Sequence, residues 1–101
     1  MQVEGSSLNT IAVVVIGDSM WPTLKDGDTF EAIPYSNQTI NEGDIVVFND
    51  PTHPSRICVK RVVHVKPEGL FVEGDNPDPT ASTDSHNYGL VSYNLLVGMK
   101  R

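Results

Sequence analysis

The stretch Ile57-Cys58-Val59-Lys60-Arg61-Val62-Val63-His64-Val65-Lys66-Pro67-Glu68-Gly69-Leu70-Phe71-Val72-Glu73 decides the fold class. It is dense in β-branched residues and has no helical 3,4 period, which predicts a strand over Ile57–Val65. Pro67-Glu68-Gly69 is a turn signal, and Leu70–Glu73 reads as the returning strand of a hairpin. Side chains alternate along a strand, so Cys58, Lys60, Val62 and His64 are expected on one face and Arg61 on the other.

Outward from this hairpin, the same alphabet repeats. Gly43-Asp44 leads into Ile45–Phe48, a second strand with no polar face. Ile11–Ile16 reads as a strand buried on both faces, Thr29–Ile33 as an alternating strand stopped by Pro34, and Leu90–Met99 as the closing strand. No segment carries a helical period and no internal repeat is found. The expected fold is mostly β, a small curled sheet or partly open barrel. Residues 74–89 interrupt the pattern with Gly, Asp, Asn, Pro, Ser and Thr almost throughout. Loops this long are usually functional or disordered. Turn formers that hydrogen-bond their own backbone predict the ordered, site-building kind.

With 101 residues, the chain is expected to form one domain over residues 1–101. Folding at that length hides roughly 65% of the unfolded surface, enough for a modest core without staples. Lys plus Arg is 7 against 13 for Asp plus Glu, a net charge of −6. Such a surface repels phosphate, which argues against nucleic acid and anionic lipid as partners. Cys58 is the single cysteine and has no internal disulfide partner. Ile11–Ile16 is the longest apolar run, far short of the ~20 residues of a bilayer helix, and Glu4 ahead of it has the wrong sign for a signal peptide. The expectation is a cytoplasmic chain with no membrane anchor of its own; an anchor removed from it, or a partner's, would bring it to a membrane.

Four segments carry chemistry. Gly17-Asp18-Ser19-Met20-Trp21-Pro22-Thr23-Leu24 follows a strand and ends in a proline-locked turn, which can present the Ser19 hydroxyl at a sheet edge. Gly43-Asp44-Ile45-Val46-Val47-Phe48 comes next, then Val59-Lys60-Arg61-Val62. Last come Gly74-Asp75-Asn76 and Ser82-Thr83-Asp84-Ser85. In this order, over almost the whole chain, they resemble the boxes of the S26 peptidase family, the type I signal peptidases. Within it, the Gly74-Asp75-Asn76-Pro77 run and the Ala81–Ser85 run are most similar to the nickel-type superoxide dismutase maturation peptidases.

The resemblance implies a fold of the signal-peptidase catalytic-core type and a serine endopeptidase with a Ser19/Lys60 dyad. Its partner would be a protein or peptide substrate shorn of an N-terminal leader, with small side chains before the cut. Ser19 is a poor nucleophile until a base takes its proton, and Lys60 can do so only as a neutral amine. That requires a drop of about 3 units from ~10.4 at pH 7, which burial among apolar strands supplies by penalising the ammonium. Ser82 matches the serine that aims the lysine. Asp84 matches an acid that holds the loop, with Arg61 as its candidate partner. Met20 and Trp21 are candidates for the mouth of the substrate cleft. The Ser19 backbone N–H is the expected oxyanion donor.

The chain departs from the family pattern in three places. Gly17 stands where many bacterial members place a second oxyanion hydroxyl. His86 stands where an Arg commonly follows the Asp-Ser pair, so a salt bridge there is either pH-sensitive or absent. Five residues, Pro77–Ala81, separate Gly74-Asp75-Asn76 from Ser82-Thr83-Asp84-Ser85, against three in common bacterial members. His64, on the predicted Lys60 face, is the candidate for a minor role. No histidine pair has zinc spacing, and Asp75, Asp78 and Asp84 do not follow a calcium-loop pattern, so no cofactor or metal is expected. Two other readings stand beside the peptidase: a self-cleaving repressor-type Ser/Lys enzyme, a family that shares the Ser-Met-x-Pro start but lacks the Gly-Asp-Asn and Ser-x-Asp-Ser loop, and an inactive peptide-binding relative.

Overall fold

Strands β3 (Ile45–Asn49) and β4 (Ile57–Lys66) form the hairpin around which the rest is arranged, in register from Ile45 opposite Arg61 to Asn49 opposite Ile57. The computed structural model describes residues 9–101, so Glu4 lies outside the described residues. β5 (Gly69–Glu73) returns antiparallel on β4 across the two-residue turn Pro67-Glu68. With β1 (Ile11–Val14), β2 (Thr29–Pro34) and β6 (Leu96–Lys100), they make one six-stranded antiparallel sheet. Its order is β1-β2-β6-β3-β4-β5, and it does not close into a barrel. The mostly-β expectation holds, in its curled-sheet form.

β3 sits in the middle of this order and is buried on both sides, which explains why it has no polar face. Val46, Phe48, Val62, Leu70 and Val72 pack on one side, where Ile40 and Val91 from the connecting segments cover them. On the other side Val47 packs with Val13 and Ala32, and Ile45 with Val15, Met20 and Leu24. The sheet therefore curls so that β1 and β2 lie over the β3–β4 hairpin.

Three expectations are corrected. β1 is shorter than Ile11–Ile16 and is not buried on both faces: among the described residues it is an end strand paired only with β2, and Val14 and Ile16 are 57% and 82% exposed. The segment Leu90–Met99 is not one strand. Val91 bridges to Leu70, Tyr93–Leu95 forms a 3-10 turn, and only then does β6 begin. The chain must travel from the β5 edge to a slot between β2 and β3, which a straight strand does not do.

The third correction concerns His64. Val62 pairs with Val72, but His64 pairs with Phe71, so two steps on β4 oppose one on β5. This bulge at Val63 resets the alternation. Directly opposed residues share a face, so His64 joins Phe71 on the side away from Val62, Val72 and Lys60. Its ring lies 5.9 Å from that of Phe71, and its Nδ1 is 3.7 Å from Glu42.

Residues 74–89 are ordered, as expected, and include a helical turn that periodicity cannot show. Asp78 caps a 3-10 turn over Pro79–Ala81, and α1 (Ser85–Tyr88) is a single turn held by a capping box between Asp84 and Asn87.

Candidate active site

Ser19 is placed by what flanks it. After β1, Val15 bonds across to Asp28 and Gly27 through both its backbone groups, at 2.8 Å each. Gly17 then turns the chain at φ +87, a conformation that glycine adopts without a Cβ clash. Met20 (1% exposed) and Leu24 drop into the core against Val15 and Ile45, fixing the turn on both sides of the serine. The bonds Trp21 N to Asp18 O and Leu24 N to Met20 O close it, with a cis Trp21–Pro22 peptide between them.

Lys60 reaches Ser19 from β4. Its Nζ donates to Ser19 Oγ at 3.1 Å, and the side chain is buried at 6% exposure. Burial pushes the Lys60 amine below its ordinary value, against opposing charge from the Cys58, Asp84 and Asp50 groups. The hydrogen bond spans 41 positions of sequence. It brings together the two residues singled out as nucleophile and base.

The Gly74-Asp75-Asn76 segment locks this pair from outside. Asn76 N donates to Ser19 O at 3.0 Å and Asn76 Nδ2 to Asp18 O at 2.8 Å. Asp75 accepts from Arg61 Nε at 3.0 Å, from Arg61 Nη2 at 2.6 Å and from Thr23 Oγ1 at 2.7 Å. One carboxylate thus ties β4 to the far end of the serine turn. The Arg61 guanidinium holds the Asp75 carboxyl below the usual carboxylate range. At Gly74, a Cβ would stand 2.5 Å from Ser19 O and 2.6 Å from Ser82 Oγ, so only glycine permits the approach.

Arg61 was expected against Asp84, and this is corrected: strand alternation turns Arg61 toward Asp75. Asp84 instead holds its own loop, accepting from His86 N at 3.0 Å and from Gly74 N at 3.4 Å. Ser82 lines the same cleft as Ser19 and Lys60, but its buried Oγ has no hydrogen-bond partner among the described residues. Met20 lines the cleft floor while serving the core. Trp21, 46% exposed, is not among the lining residues. His86 Nε2 meets Glu73 Oε2 at 2.6 Å, and that bond raises the His86 pKa. Among the described residues, Ser19 N makes no hydrogen bond, whereas Gly17 N is engaged with Asp26 Oδ1 at 2.7 Å.

The cleft holds about 360 Å³ and runs between two strand edges. On one side are Val13–Ile16, at the outer edge of the sheet; on the other is the Ile57–Lys60 half of β4, which β5 leaves unpaired because its ladder starts at Arg61. At the end of the cleft lies Asp50, 4% exposed, which the sequence reading did not single out. The signal was the Asp50-Pro51-Thr52 turn, where an acid caps the following amides.

A model of the family described as signal peptidase, peptidase S26, matches residues 6–68. The mitochondrial inner membrane protease subunit 1 of Xenopus tropicalis is 33% identical over 108 residues, covering 85% of this chain and 64% of that protein. The mitochondrial ATP-independent inner membrane protease subunit 1b of Arabidopsis thaliana is 34% identical, covering 81% of this chain and 62% of its own length. The human mitochondrial inner membrane protease subunit 1 is 32% identical, with 85% and 64% covered. The chain spans a little under two thirds of the length of these relatives.

Proposed function

The chain belongs to the signal peptidase family, peptidase S26, and on that premise we propose that it is a serine endopeptidase in which Ser19 is the nucleophile and Lys60 its base. The observation that carries this reading is the 3.1 Å bond between a buried lysine amine and the serine hydroxyl. Deprived of water, the amine gives up its proton more readily, and its free lone pair then accepts the Ser19 Oγ proton. Oγ attacks the peptide carbonyl carbon, the lysine returns the proton to the leaving amine, and the leader remains as an ester on Ser19. Water, deprotonated by the same amine, releases it. Ser19 N, which makes no hydrogen bond among the described residues, is the oxyanion donor in this scheme.

The substrate lies extended between Val13–Ile16 and Ile57–Lys60, using main-chain groups that these two edges leave open. Residues 1–101 act as one catalytic domain on a protein with an N-terminal leader. The precursor of a nickel-type superoxide dismutase is the first candidate, on the Gly74–Pro77 and Ala81–Ser85 runs. No described helix is long and apolar enough to cross a membrane. The names of the relatives speak of inner membrane protease subunits, and the same likeness makes presentation of the substrate at a membrane part of the proposal.

A fluorophosphonate probe tests the reading, with intact mass as readout. The expected result is one adduct on the wild type, mapped to Ser19, and none on Ser19→Ala or Lys60→Ala with both variants folded. Labelling of Lys60→Ala at the wild-type rate would remove the lysine from the mechanism.

A further inference from the structure

The backbone N–H and the side-chain amide of Asn76 are all engaged, and two of their bonds fall on consecutive carbonyls of the nucleophile turn. Asn76 N donates to Ser19 O at 3.0 Å, and Asn76 Nδ2 donates to Asp18 O at 2.8 Å. Asn76 Oδ1 accepts from Asp78 N at 2.8 Å, a bond that only the amide oxygen can make, so the amide nitrogen is the atom that faces Asp18. Asp18 O also accepts Trp21 N at 3.1 Å, from within the turn. The Arg61–Asp75–Thr23 tie already fastens this loop to the turn. The Nδ2 bond adds an orientation.

What it orients is a peptide plane. Asp18 C=O and Ser19 N–H belong to one peptide unit, and that unit is trans, the cis bond among the described residues being Trp21–Pro22. In a trans unit the C=O and the N–H point in opposite directions. Holding Asp18 O against Asn76 therefore aims the Ser19 N–H away from Asn76. That N–H makes no hydrogen bond among the described residues, whereas Gly17 N is engaged with Asp26 Oδ1. Donors on a carbonyl polarise the N–H of the same unit, so a second bond on Asp18 O makes Ser19 N the stronger donor. Gly17 brings no side-chain donor to the site, and the direction of this one N–H matters the more.

Resting on the peptidase reading above, we propose that Asn76 is a positioning residue: by its double hold on Asp18 O and Ser19 O it fixes the Asp18–Ser19 peptide plane and aims the Ser19 N–H at the oxyanion. Asn76 touches neither the substrate nor the reacting atoms. In acylation Ser19 Oγ bonds to the substrate carbonyl carbon, its proton passes to the Lys60 amine, and the carbonyl π pair moves onto oxygen. The charge develops where the N–H already points, so no peptide plane has to turn during the step.

The test uses the full chain, an octapeptide with alanine before the cut, and the peptide aldehyde acetyl-Ala-Ala-Ala-alaninal. The aldehyde carbon takes Ser19 Oγ, the proton passes to Lys60, and the aldehyde oxygen becomes the oxyanion. The matching alcohol, acetyl-Ala-Ala-Ala-alaninol, forms no adduct and reports ground-state binding alone. Asn76→Asp keeps the backbone bond to Ser19 O and an oxygen for Asp78 N, and removes the donor to Asp18 O. Its saturating single-turnover rate should be about 10- to 100-fold lower than that of wild type, with the half-saturating peptide concentration within about twofold. Affinity for the aldehyde should fall by the same factor as the rate, and affinity for the alcohol should stay unchanged. A saturating rate equal to wild type, or a loss shared equally by aldehyde and alcohol, overturns the assignment. A measurement on wild type alone covers the case of a variant that does not fold. In the isotope-labelled protein the Ser19 amide proton should move downfield when the aldehyde binds, and no movement overturns the assignment without any change at Asn76. Wild type that cleaves the octapeptide, beside an Asn76→Asp variant that cleaves it equally well, sinks this inference and leaves the peptidase reading standing. Wild type that neither cleaves nor takes up the aldehyde sinks both.

Discussion

Asp75 grips Arg61 through two guanidinium nitrogens, at 3.0 and 2.6 Å, and through its second oxygen also takes the hydroxyl of Thr23 at 2.7 Å. The strand that carries Lys60 and the turn that carries Ser19 are thereby fastened to one carboxylate. Two groups 41 positions apart in sequence can hold a 3.1 Å separation only if the elements beneath them do not slide.

Asp75→Asn should therefore loosen the site and cost stability in a pH-dependent way. Hydrogen bonds to charged partners contribute about 1.5–3 kcal/mol, and the amide keeps part of that. The Asp75 carboxyl titrates lower folded than unfolded. Its contribution is thus complete above the unfolded value near 4 and fades as pH falls through the folded one. The difference in Tm between wild type and Asp75→Asn should be largest above about pH 5 and shrink toward pH 3. A difference that grows in acid would contradict the ion pair as its origin.

The sheet was legible in local patterns, β-branched runs and turn residues, whereas the pairing of Ser19 with Lys60 came from the resemblance of the ordered boxes to the S26 family. What escaped depends on register and loop conformation. His64 was expected beside Lys60, but one extra residue at Val63 moves it to the other face, and a bulge leaves no mark in composition. Arg61 was assigned to Asp84; alternation already set Arg61 on the face opposite Lys60, but which acid of residues 74–89 meets that face depends on how the loop folds, and there it is Asp75. α1 has four residues, too few for an apolar period, so only its Asp84 and Asn87 capping pair could have announced it. Asp50 sits in a loop that reads as a plain turn until β4 folds back past it.

Lys60→Met should raise stability while abolishing cleavage. The ammonium is penalised by burial, and methionine fills nearly the same space without charge. The folded amine titrates below the unfolded one, so the unfolded state binds more protons between the two values. In wild type, stability from this group rises with pH through that window, and in Lys60→Met the rise is absent. Cleavage by wild type should climb with pH along a limb that lies below the ordinary lysine value of 10.5. Thermal melts and single-turnover rates at half-unit pH steps read both. A flat rate between pH 6 and 9 would count against lysine as base.

Gly74→Ala should damage the site by crowding. The added methyl would lie 2.5 Å from a backbone oxygen, Ser19 O, which cannot turn aside as a side chain does. Overpacking of this kind costs about 1–3 kcal/mol. Displacing the Ser19 turn by about 1 Å costs on the order of 100-fold in rate. Both Tm and single-turnover rate are expected to fall, and retention of full rate would show that Ser19 is not held by this contact.

The two serines of the last box should separate positioning from support. Ser85 Oγ accepts the Val72 amide at 2.9 Å at a buried site, so Ser85→Ala strands a backbone donor and should cost about 1–3 kcal/mol. Ser82 Oγ is buried, lines the cleft that Lys60 also lines, and satisfies no group among the described residues. Its removal therefore leaves nothing unpaired in the resting protein and should keep Tm within about 0.5 kcal/mol-equivalent of wild type. A hydroxyl kept there can still turn to the Lys60 amine and aim it once a peptide fills the cleft. Loss of that aim predicts a rate decrease on the order of 100-fold in Ser82→Ala, with Ser85→Ala losing stability but much less rate. Melting temperatures and single-turnover rates on one peptide decide the matter. If Ser82→Ala melts and cleaves as wild type does, the hydroxyl has no part in orienting Lys60, and the fixing of the lysine falls to β4 and the Arg61–Asp75 tie alone.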